Sequence, residues 1–172
     1  MITVLADTSA LVSLEIKHLV ALSSKVIQFY ISDVVRLELK EIAEFDDVHG
    51  RSARDVLSLV DSGIIAIRYV SARKEYLENI DIGEAEILTL SESGEYDYMI
   101  TDDVKALPYI KSITKVKALT SAFVIRLLYD LKMLSRDKAL NSIKEISASR
   151  DWYGGVLETI SYKYFDDFSN KD

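Results

Sequence analysis

The chain has 172 residues, 49% of them hydrophobic and 28% charged, with a formal net charge of −7; this balance excludes a disordered chain and argues against a basic protein that coats nucleic acids. It contains no cysteine, which excludes disulfides and thiolate metal sites and is typical of a reducing compartment. No apolar run reaches the ~18 residues of a membrane helix, and no basic segment precedes the first apolar run, so we expect a soluble, cytoplasmic protein.

Strands and helices are predicted to alternate from the N-terminus onward. Residues 2–6, with the sequence ITVLA, form a short and partly β-branched apolar run that is typical of a buried strand. Residues 9–22 have apolar positions at helical spacing, and residues 26–31 predict a second strand. Ser32 is well suited to cap a helix that runs to about Phe45.

The middle of the chain continues this alternation. Its predicted elements are, in chain order, a helix at about 51–61, a strand at 64–70, a helix at 82–93, a strand at 98–101 and a fifth strand at 115–119. Gly63 and Gly94 are expected to end the two helices, and Asp81 to cap the second one. A strand–helix alternation of this kind predicts a parallel sheet that is covered on both faces.

The last part of the chain has a helical pattern throughout. Helices are predicted at 120–133, at about 135–148 with Ser135 as the cap, and at about 151–166. We therefore expect a three-layer α/β/α fold with a central, mostly parallel sheet of four to five strands, followed by a helical C-terminal tail. The domain prediction is one unit over residues 1–172, with a core at about 1–133 and C-terminal helices at about 134–168.

Two of the predicted strands end in aspartate. Asp7 follows the first strand, and the pair Asp102 and Asp103 follows the fourth. Because the carboxyl ends of parallel strands lie at one edge of a sheet, where ligands bind in such folds, we expect these acids to meet. Each has an alternative role, since Asp7 can cap the following helix and the pair can form a turn.

Two glutamates lie in the apolar stripes of predicted helices. Glu38 follows Val35 by three residues and precedes Ile42 by four, and Glu84 shares a helix face with Leu88. A carboxylate in a buried stripe is costly unless it is paired or binds a cation. For Glu84 a capping box at the start of its helix is an alternative.

Glu86 and the two histidines lack the pattern that distinguishes Glu38 and Glu84. Glu86 has Thr89 and Leu90 as its helical neighbours, which is a more mixed face than that of Glu84. The two histidines, His18 and His49, stand alone in the sequence and are interpreted as ordinary surface or core residues.

A single cation site accounts for all the unusual acids together. Carboxylates that are held close to one another repel and raise each other's pKa, and a divalent cation removes this conflict. A set of oxygen ligands without cysteine favours Mg²⁺ or Mn²⁺ over zinc. The candidate ligands, which would also carry the catalysis, are Asp7, Glu38, Glu84, Asp102 and Asp103.

Four segments together resemble one nuclease family. They are ADTSAL, VVRLELKEI, GEAEIL and ITDDVKAL. In this order and spacing they are similar to the PIN-domain nucleases, in particular the VapC-type toxins and their archaeal relatives, over roughly the first 133 residues. The family's acids fall on Asp7, Glu38, Glu84 and either Asp102 or Asp103, and the choice between the last two stays open.

The resemblance implies Mg²⁺- or Mn²⁺-dependent hydrolysis of a phosphodiester bond, in RNA above all, to 5′-phosphate and 3′-hydroxyl ends. Ser9 and Thr101 match hydroxyls that support the metal ligands or a phosphate in the family. Basic residues near the expected cleft are candidates for binding the substrate, namely Arg36, Lys40, Lys105 and Lys111.

The resemblance also implies partners. VapC-type toxins are held by an antitoxin peptide and pair as homodimers, so an antitoxin and a homodimer are expected here. The C-terminal aromatic residues are expected to close the core or to dock such a partner. They are Tyr162, Tyr164, Phe165 and Phe168.

Two other function classes remain open as alternatives. One is a Mg²⁺-dependent phosphoryl-handling α/β domain, such as a response-regulator receiver or a haloacid-dehalogenase-like phosphatase. Receivers place paired acids after the first strand, and these phosphatases need an aspartate where Ser9 stands, so both fit less well, and neither explains Glu38. The other class is a non-catalytic PIN-like module that binds RNA or protein.

Overall fold

A five-stranded sheet forms the centre of the protein. The computed structural model describes residues 1–150 and 155–166. The strands are β1 (Ile2–Ala6), β2 (Ile27–Ser32), β3 (Ile65–Arg68), β4 (Tyr98–Ile100) and β5 (Lys117–Leu119). They are all parallel, in the order β3-β2-β1-β4-β5, so the predicted parallel sheet is confirmed with five strands.

Helices flank the sheet and give a three-layer α/β/α fold. Those described before β4 are α1 (Thr8–Glu15), α2 (Leu19–Ser23), α3 (Asp33–Ala43), α4 (Val48–Asp61), α5 (Lys74–Leu77) and α6 (Ile82–Ser91). Those after β4 are α7 (Ala106–Ile113), α8 (Ala122–Asp130), α9 (Arg136–Ser149) and α10 (Val156–Asp166). Helix α4 packs against α1 and α3, and α8, α9 and α10 pack against one another.

The core lies on both sides of the central strand β1. Val4, Leu5 and Ala6 have no exposed surface, because β1 is paired on both edges and covered on both faces. This burial explains why the first strand is an uninterrupted apolar run. Among the described residues, no helix has the length and apolar character needed to span a membrane.

The predicted helix at 9–22 is wrong in one respect, because the structure has two helices there. Helix α1 ends at Glu15, and His18 adopts a left-handed conformation with φ of 53° directly before α2. A single residue in this region breaks the α-helical hydrogen-bond ladder. The apolar spacing on either side is helical, so periodicity alone did not reveal the break.

The predicted helix at about 51–61 begins earlier than expected. Helix α4 starts at Val48, and the side chain of Asp47 caps it by accepting from Gly50 N at 2.8 Å. Gly50 therefore lies inside the first turn, and a Cβ there would collide with the carbonyl oxygen of Phe45. This glycine serves a close backbone approach and not a loop.

Two further expectations about local structure need correction. Asp81 is at the N-cap position of α6, as expected, but its side chain makes no capping hydrogen bond. The capping box that was the alternative for Glu84 is therefore not formed. The helices α5 and α7 were not predicted, because each is short and lies beside a turn-rich segment.

The carboxyl ends of three neighbouring strands meet at one edge of the sheet. The backbone N–H of Asp7, just after β1, donates to Ile100 O at 3.1 Å, and that of Thr101 donates to Leu119 O at 3.0 Å. The hydrogen-bonding ladder therefore continues one residue beyond β1 and one residue beyond β4. It sets the residues that follow β1, β4 and β5 side by side, which is where a ligand site is expected.

The C-terminal aromatic residues that the structure describes pack onto the core. Phe165 is buried against Tyr129, with ring centroids 5.6 Å apart, while Tyr162 and Tyr164 are half-buried. These contacts favour the interpretation that the tail closes the core. The prediction for Phe168 lies outside the described residues.

Candidate metal centre

Asp7 is the most constrained acid of the candidate site. Its side chain is 4% exposed, and it accepts hydrogen bonds from Ala10 N at 2.9 Å, Thr101 Oγ1 at 2.7 Å and Ser9 Oγ at 2.9 Å. Burial raises its pKa to about 6 against the opposing effect of these donors, and the charge of Asp102 raises it further. Asp7 therefore caps α1 and also presents a preoriented carboxylate at the edge of the sheet.

Glu84 faces the same place from the first turn of α6. Burial raises its pKa to about 7, and the charges of Asp7 and Asp103 contribute after burial. These interactions indicate that Asp7, after β1, and Asp103, after β4, both lie close enough to Glu84 on α6 to repel its carboxylate. The sequence separation of the three residues is large, so only the parallel sheet brings them together.

Asp102 and Asp103 have different surroundings. Both carboxylate oxygens of Asp102, which is 8% exposed, accept from Ser121: from its backbone N–H and its hydroxyl, each at 2.8 Å. Asp103 is half-buried and uses Oδ1 to accept from the backbone N–H groups of Lys105 and Ala106 at the start of α7. Asp102 is thus tied to the loop after β5, while Asp103 is the member of the pair whose charge acts on Glu84.

Two hydroxyls link the strand ends. Ser9 Oγ, besides contacting Asp7, accepts from the backbone N–H of Asp102 at 2.8 Å. Thr101 Oγ1, which is fully buried, donates to Asp7 and accepts from the backbone N–H of Asp103 at 3.0 Å. Each hydroxyl therefore links the carboxylate of Asp7, after β1, to the backbone that follows β4.

Glu38 enters the site from α3. It is half-buried, accepts from the hydroxyl of Thr8, and lines a cleft of about 230 Å³ together with Asp7 and Glu84. Burial raises its pKa above the ordinary range, the bond from Thr8 opposes this, and other nearby acids raise it further. A Cβ at Gly83 would be 2.6 Å from Glu38 Oε1, so this glycine makes room for the carboxylate.

Glu86 contradicts the expectation drawn from its helix face. It is only 6% exposed, and its Oε2 accepts from Val34 N at 3.4 Å in the first turn of α3. A carboxylate at a helix N-terminus also interacts favourably with the helix dipole. Helix α6 has buried residues on nearly all sides, among them Ala85 and Ile87. A helix that is apolar all round is buried all round, and this feature of the sequence would have predicted the burial of Glu86.

The predicted basic residues lie in different places. Arg36 pairs with Asp33 one turn earlier on α3, with Nη2 and Oδ1 2.7 Å apart. Lys40 and Lys111 are exposed and line neither cleft at the acids. Lys105 does line a second cleft beside the acids, so it is the one of the four that the fold brings to the centre.

The second cleft adjoins the first and has a volume of about 650 Å³. Its walls include Asp102, Asp103 and the exposed ring of Phe45. His49 also lines it, with a buried Nε2 that has no hydrogen-bond partner among the described residues, although the sequence suggested no position near a site. Arg150, which no sequence pattern singled out, lines both clefts.

The carboxylates at the sheet edge influence one another's charge, but their oxygen atoms are not all close enough together to surround one ion directly. Within residues 1–150 and 155–166, one group of three side chains has all its ligand atoms within 4.8 Å, namely Glu15, His18 and Asp55. Glu15 is at the far end of α1, about 12 Å along the helix from Asp7. Its carboxylate is already bonded to Val20 N and to His18.

The donor set nevertheless fits a hard divalent cation. All the acids that face the smaller cleft offer carboxylate oxygens, and the space beside Gly83 accommodates one of them. Mg²⁺ and Mn²⁺ bind through a few carboxylates and retain several waters, so a wider spacing of acids suits them. A bound cation would also reduce the repulsion between these carboxylates, which contributes to their raised pKa values.

The comparison with protein families agrees with this geometry. A family model described as a PIN domain matches residues 3–155. No curated protein matches the chain in sequence. PIN domains are generally nucleases that use a divalent metal, and the carboxylates of Asp7, Glu38 and Glu84 in the smaller cleft are oxygen ligands of the kind that such a cation takes. The matched segment carries both the fold and the acids, and the chain therefore belongs to the PIN-domain family.

Proposed function

We propose that the protein is a Mg²⁺- or Mn²⁺-dependent endoribonuclease, which hydrolyses phosphodiester bonds in RNA. The observation that supports this proposal is the meeting of acids at the carboxyl edge of the sheet, where Asp7, Glu38 and Glu84 line one cleft. The charges of Asp7 and Asp103 also raise the pKa of Glu84. A fold does not keep such a cluster for stability, because buried like charges are destabilising.

The proposed ligands are Asp7, Glu38, Glu84 and Asp103. When bound, the cation supplies a water that is nucleophilic near neutral pH and screens the charge of the phosphate. We assign Asp103 and not Asp102 as the direct ligand, because the charge of Asp103 acts on Glu84 and its hydrogen bonds to α7 use Oδ1 alone, whereas Ser121 binds both oxygens of Asp102. Asp102 then holds the loop after β5 in place.

The hydroxyls prepare the site for this role. Ser9 and Thr101 donate to Asp7 and so fix the direction of its free lone pairs before any ligand arrives. Groups that orient a metal ligand in this way commonly change metal affinity by about 10- to 100-fold when they are removed.

The sheet order argues against one alternative function. Response-regulator receivers have the flavodoxin-like order 2-1-3-4-5, whereas the order here is 3-2-1-4-5.

Cleavage of a labelled RNA tests the proposal. The purified chain should cut a 5′-labelled single-stranded RNA with Mn²⁺ or Mg²⁺ and not with EDTA. Asp7→Asn should lower the rate by about 100-fold or more, since it removes a charged ligand from the reacting centre. Asp61→Asn, an exposed acid at the end of α4, is the matched control and should retain activity.

Other outcomes separate the alternatives. RNA binding without cleavage in either metal would replace the nuclease by a non-catalytic RNA-binding module. Cleavage of a matched DNA strand at the same rate would broaden the substrate to nucleic acid in general. Equal rates for Asp7→Asn and the unmutated protein would overturn the assigned centre.

The partner proposals follow from the family resemblance. We propose a homodimer in the cytoplasm and an antitoxin peptide as the partner of a toxin. Light scattering on the purified chain tests the dimer, since a mass near 19.4 kDa would contradict it. Co-expression with a small protein encoded beside this one, followed by loss of cleavage, tests the antitoxin.

A further inference from the structure

Arg150 is a cation that the fold places at the acidic centre. It follows the last turn of α9, far along the chain from the four segments that resemble the family. Its Nη1 donates to the carbonyl oxygen of Ser9 at 3.0 Å, across 141 positions of sequence. This bond ties the guanidinium to the turn that also carries Asp7.

The guanidinium is available to an anion. Although Arg150 lines both clefts, it makes no ion pair with any acid among the residues that the structure describes. An arginine has five N–H donors in a planar fork, and the bond to Ser9 uses one of the two terminal nitrogens. The remaining donors are of the kind that bind two phosphate oxygens at once.

The side chains that line the two clefts would direct a phosphate to Arg150. The smaller cleft contains Asp7, Glu38 and Glu84, and the larger one has an apolar wall with the ring of Phe45, which is 63% exposed. A base can stack on such a ring while the phosphate beside it reaches the acids. Arg150 is shared by both clefts and is therefore at the junction between base and phosphate.

We propose that Arg150 binds the scissile phosphate of the nucleic-acid strand, and this rests on the proposed nuclease function. The acids repel a phosphate, and the chain as a whole is negatively charged. A fixed guanidinium offsets this repulsion at the point of contact and stabilises the charge that develops on the phosphate oxygens in the transition state. Arg150 forms no covalent bond and moves no proton.

Three variants test this assignment. Arg150→Ala removes the guanidinium, Arg150→Lys keeps a charge without the fork, and Arg136→Ala, an exposed arginine at the start of the same helix, is the matched control. The cleavage rate with Mn²⁺ should fall by about 100-fold in Arg150→Ala and recover partly in Arg150→Lys. Arg136→Ala should behave as the unmutated protein.

Binding gives a readout that does not depend on cleavage. The probe is a fluorescent 12-nucleotide single-stranded RNA in Ca²⁺, followed by anisotropy over a range of salt concentrations. The slope of log affinity against log salt should decrease in magnitude by about 0.7 in Arg150→Ala, which corresponds to one lost phosphate contact. Mn²⁺ affinity, measured by calorimetry without RNA, should stay within about twofold, because Arg150 is not a metal ligand.

The outcomes distinguish failure of this inference from failure of the nuclease function. Unchanged cleavage and an unchanged salt slope in Arg150→Ala would overturn the assignment. Loss of Mn²⁺ binding in parallel with cleavage would show that Arg150 only supports the fold. If the unmutated protein binds the RNA but cuts nothing, the nuclease proposal fails and the salt slope still decides the role of Arg150; if it does neither, both fail.

Discussion

Binding of Mn²⁺ to the metal-free protein is expected to release protons at pH 6.5 and almost none at pH 8. Burial raises the pKa of Asp7 to about 6 and that of Glu84 to about 7 in the absence of a cation. Both carboxylates have to be ionised in order to coordinate a metal, so any proton they hold is displaced on binding.

The size of the effect follows from these two values. At pH 6.5, Asp7 is about one quarter protonated and Glu84 about three quarters, so the pair releases about one proton for each bound ion. At pH 8 the same calculation leaves about 0.1 proton. The difference is large enough for calorimetry to resolve.

The assay is titration with Mn²⁺ at one pH in two buffers that differ in ionisation enthalpy. The difference in observed heat, divided by the difference in buffer enthalpy, gives the number of protons released. Glu84→Gln should lower the release at pH 6.5 by about three quarters of a proton. Glu15→Gln is the control, because burial also raises the pKa of Glu15 but this residue lies at the far end of α1. Equal proton release at pH 6.5 and pH 8 would refute the reasoning.

The same shifts make the metal-free protein less stable as pH rises. An acid whose pKa is raised in the folded state contributes stability that is complete below its unfolded pKa and is lost as pH rises through the folded value. For Asp7 the window is about pH 4 to 6, and the loss is roughly 3 kcal/mol. Saturating Mn²⁺ should remove this loss. Urea unfolding at pH 5 and pH 7.5 would measure the roughly 1.4 kcal/mol of it that falls between these two values.

Three substitutions test the surroundings of the centre. Gly83→Ala should weaken Mn²⁺ binding by about tenfold in calorimetry, because the new Cβ displaces Glu38; unchanged affinity would show that this carboxylate is not a ligand. Ser121→Ala should lower the free energy of unfolding in urea by about 1–3 kcal/mol, because one oxygen of the buried Asp102 loses its donor; a loss below about 0.5 kcal/mol would contradict this. Glu86→Ala should cost about 0.5–2 kcal/mol through the start of α3, and an unchanged midpoint in thermal unfolding would mean that the contact has no effect.

Short sequence patterns predicted a strand or a helix end well where neighbouring residues alone determine it. The strand at 2–6 and the caps at Ser32 and Ser135 are found as expected, since a short apolar run and a hydroxyl before a helix act through the nearest residues. The break at His18 was missed, because its left-handed backbone leaves the pattern of apolar residues unchanged.

The sequence by itself determined the chemistry of the candidate centre. Acids after strands and glutamates in apolar stripes are costly whatever the details of packing, so they indicate a cation on chemical grounds alone. The spacing of apolar residues could not predict that Glu86 is buried, because α6 is buried on almost all sides and has no polar face for comparison.

Only the tertiary structure decided which partners the carboxylate oxygens and the arginine of the centre have. Asp102 and Asp103 are neighbours in sequence, yet Ser121 occupies one of them while the other faces Glu84. Arg150 reaches Ser9 from the end of α9. Contacts of this kind depend on the order of parallel strands and on the packing of distant helices, and no local pattern of residues carries that information.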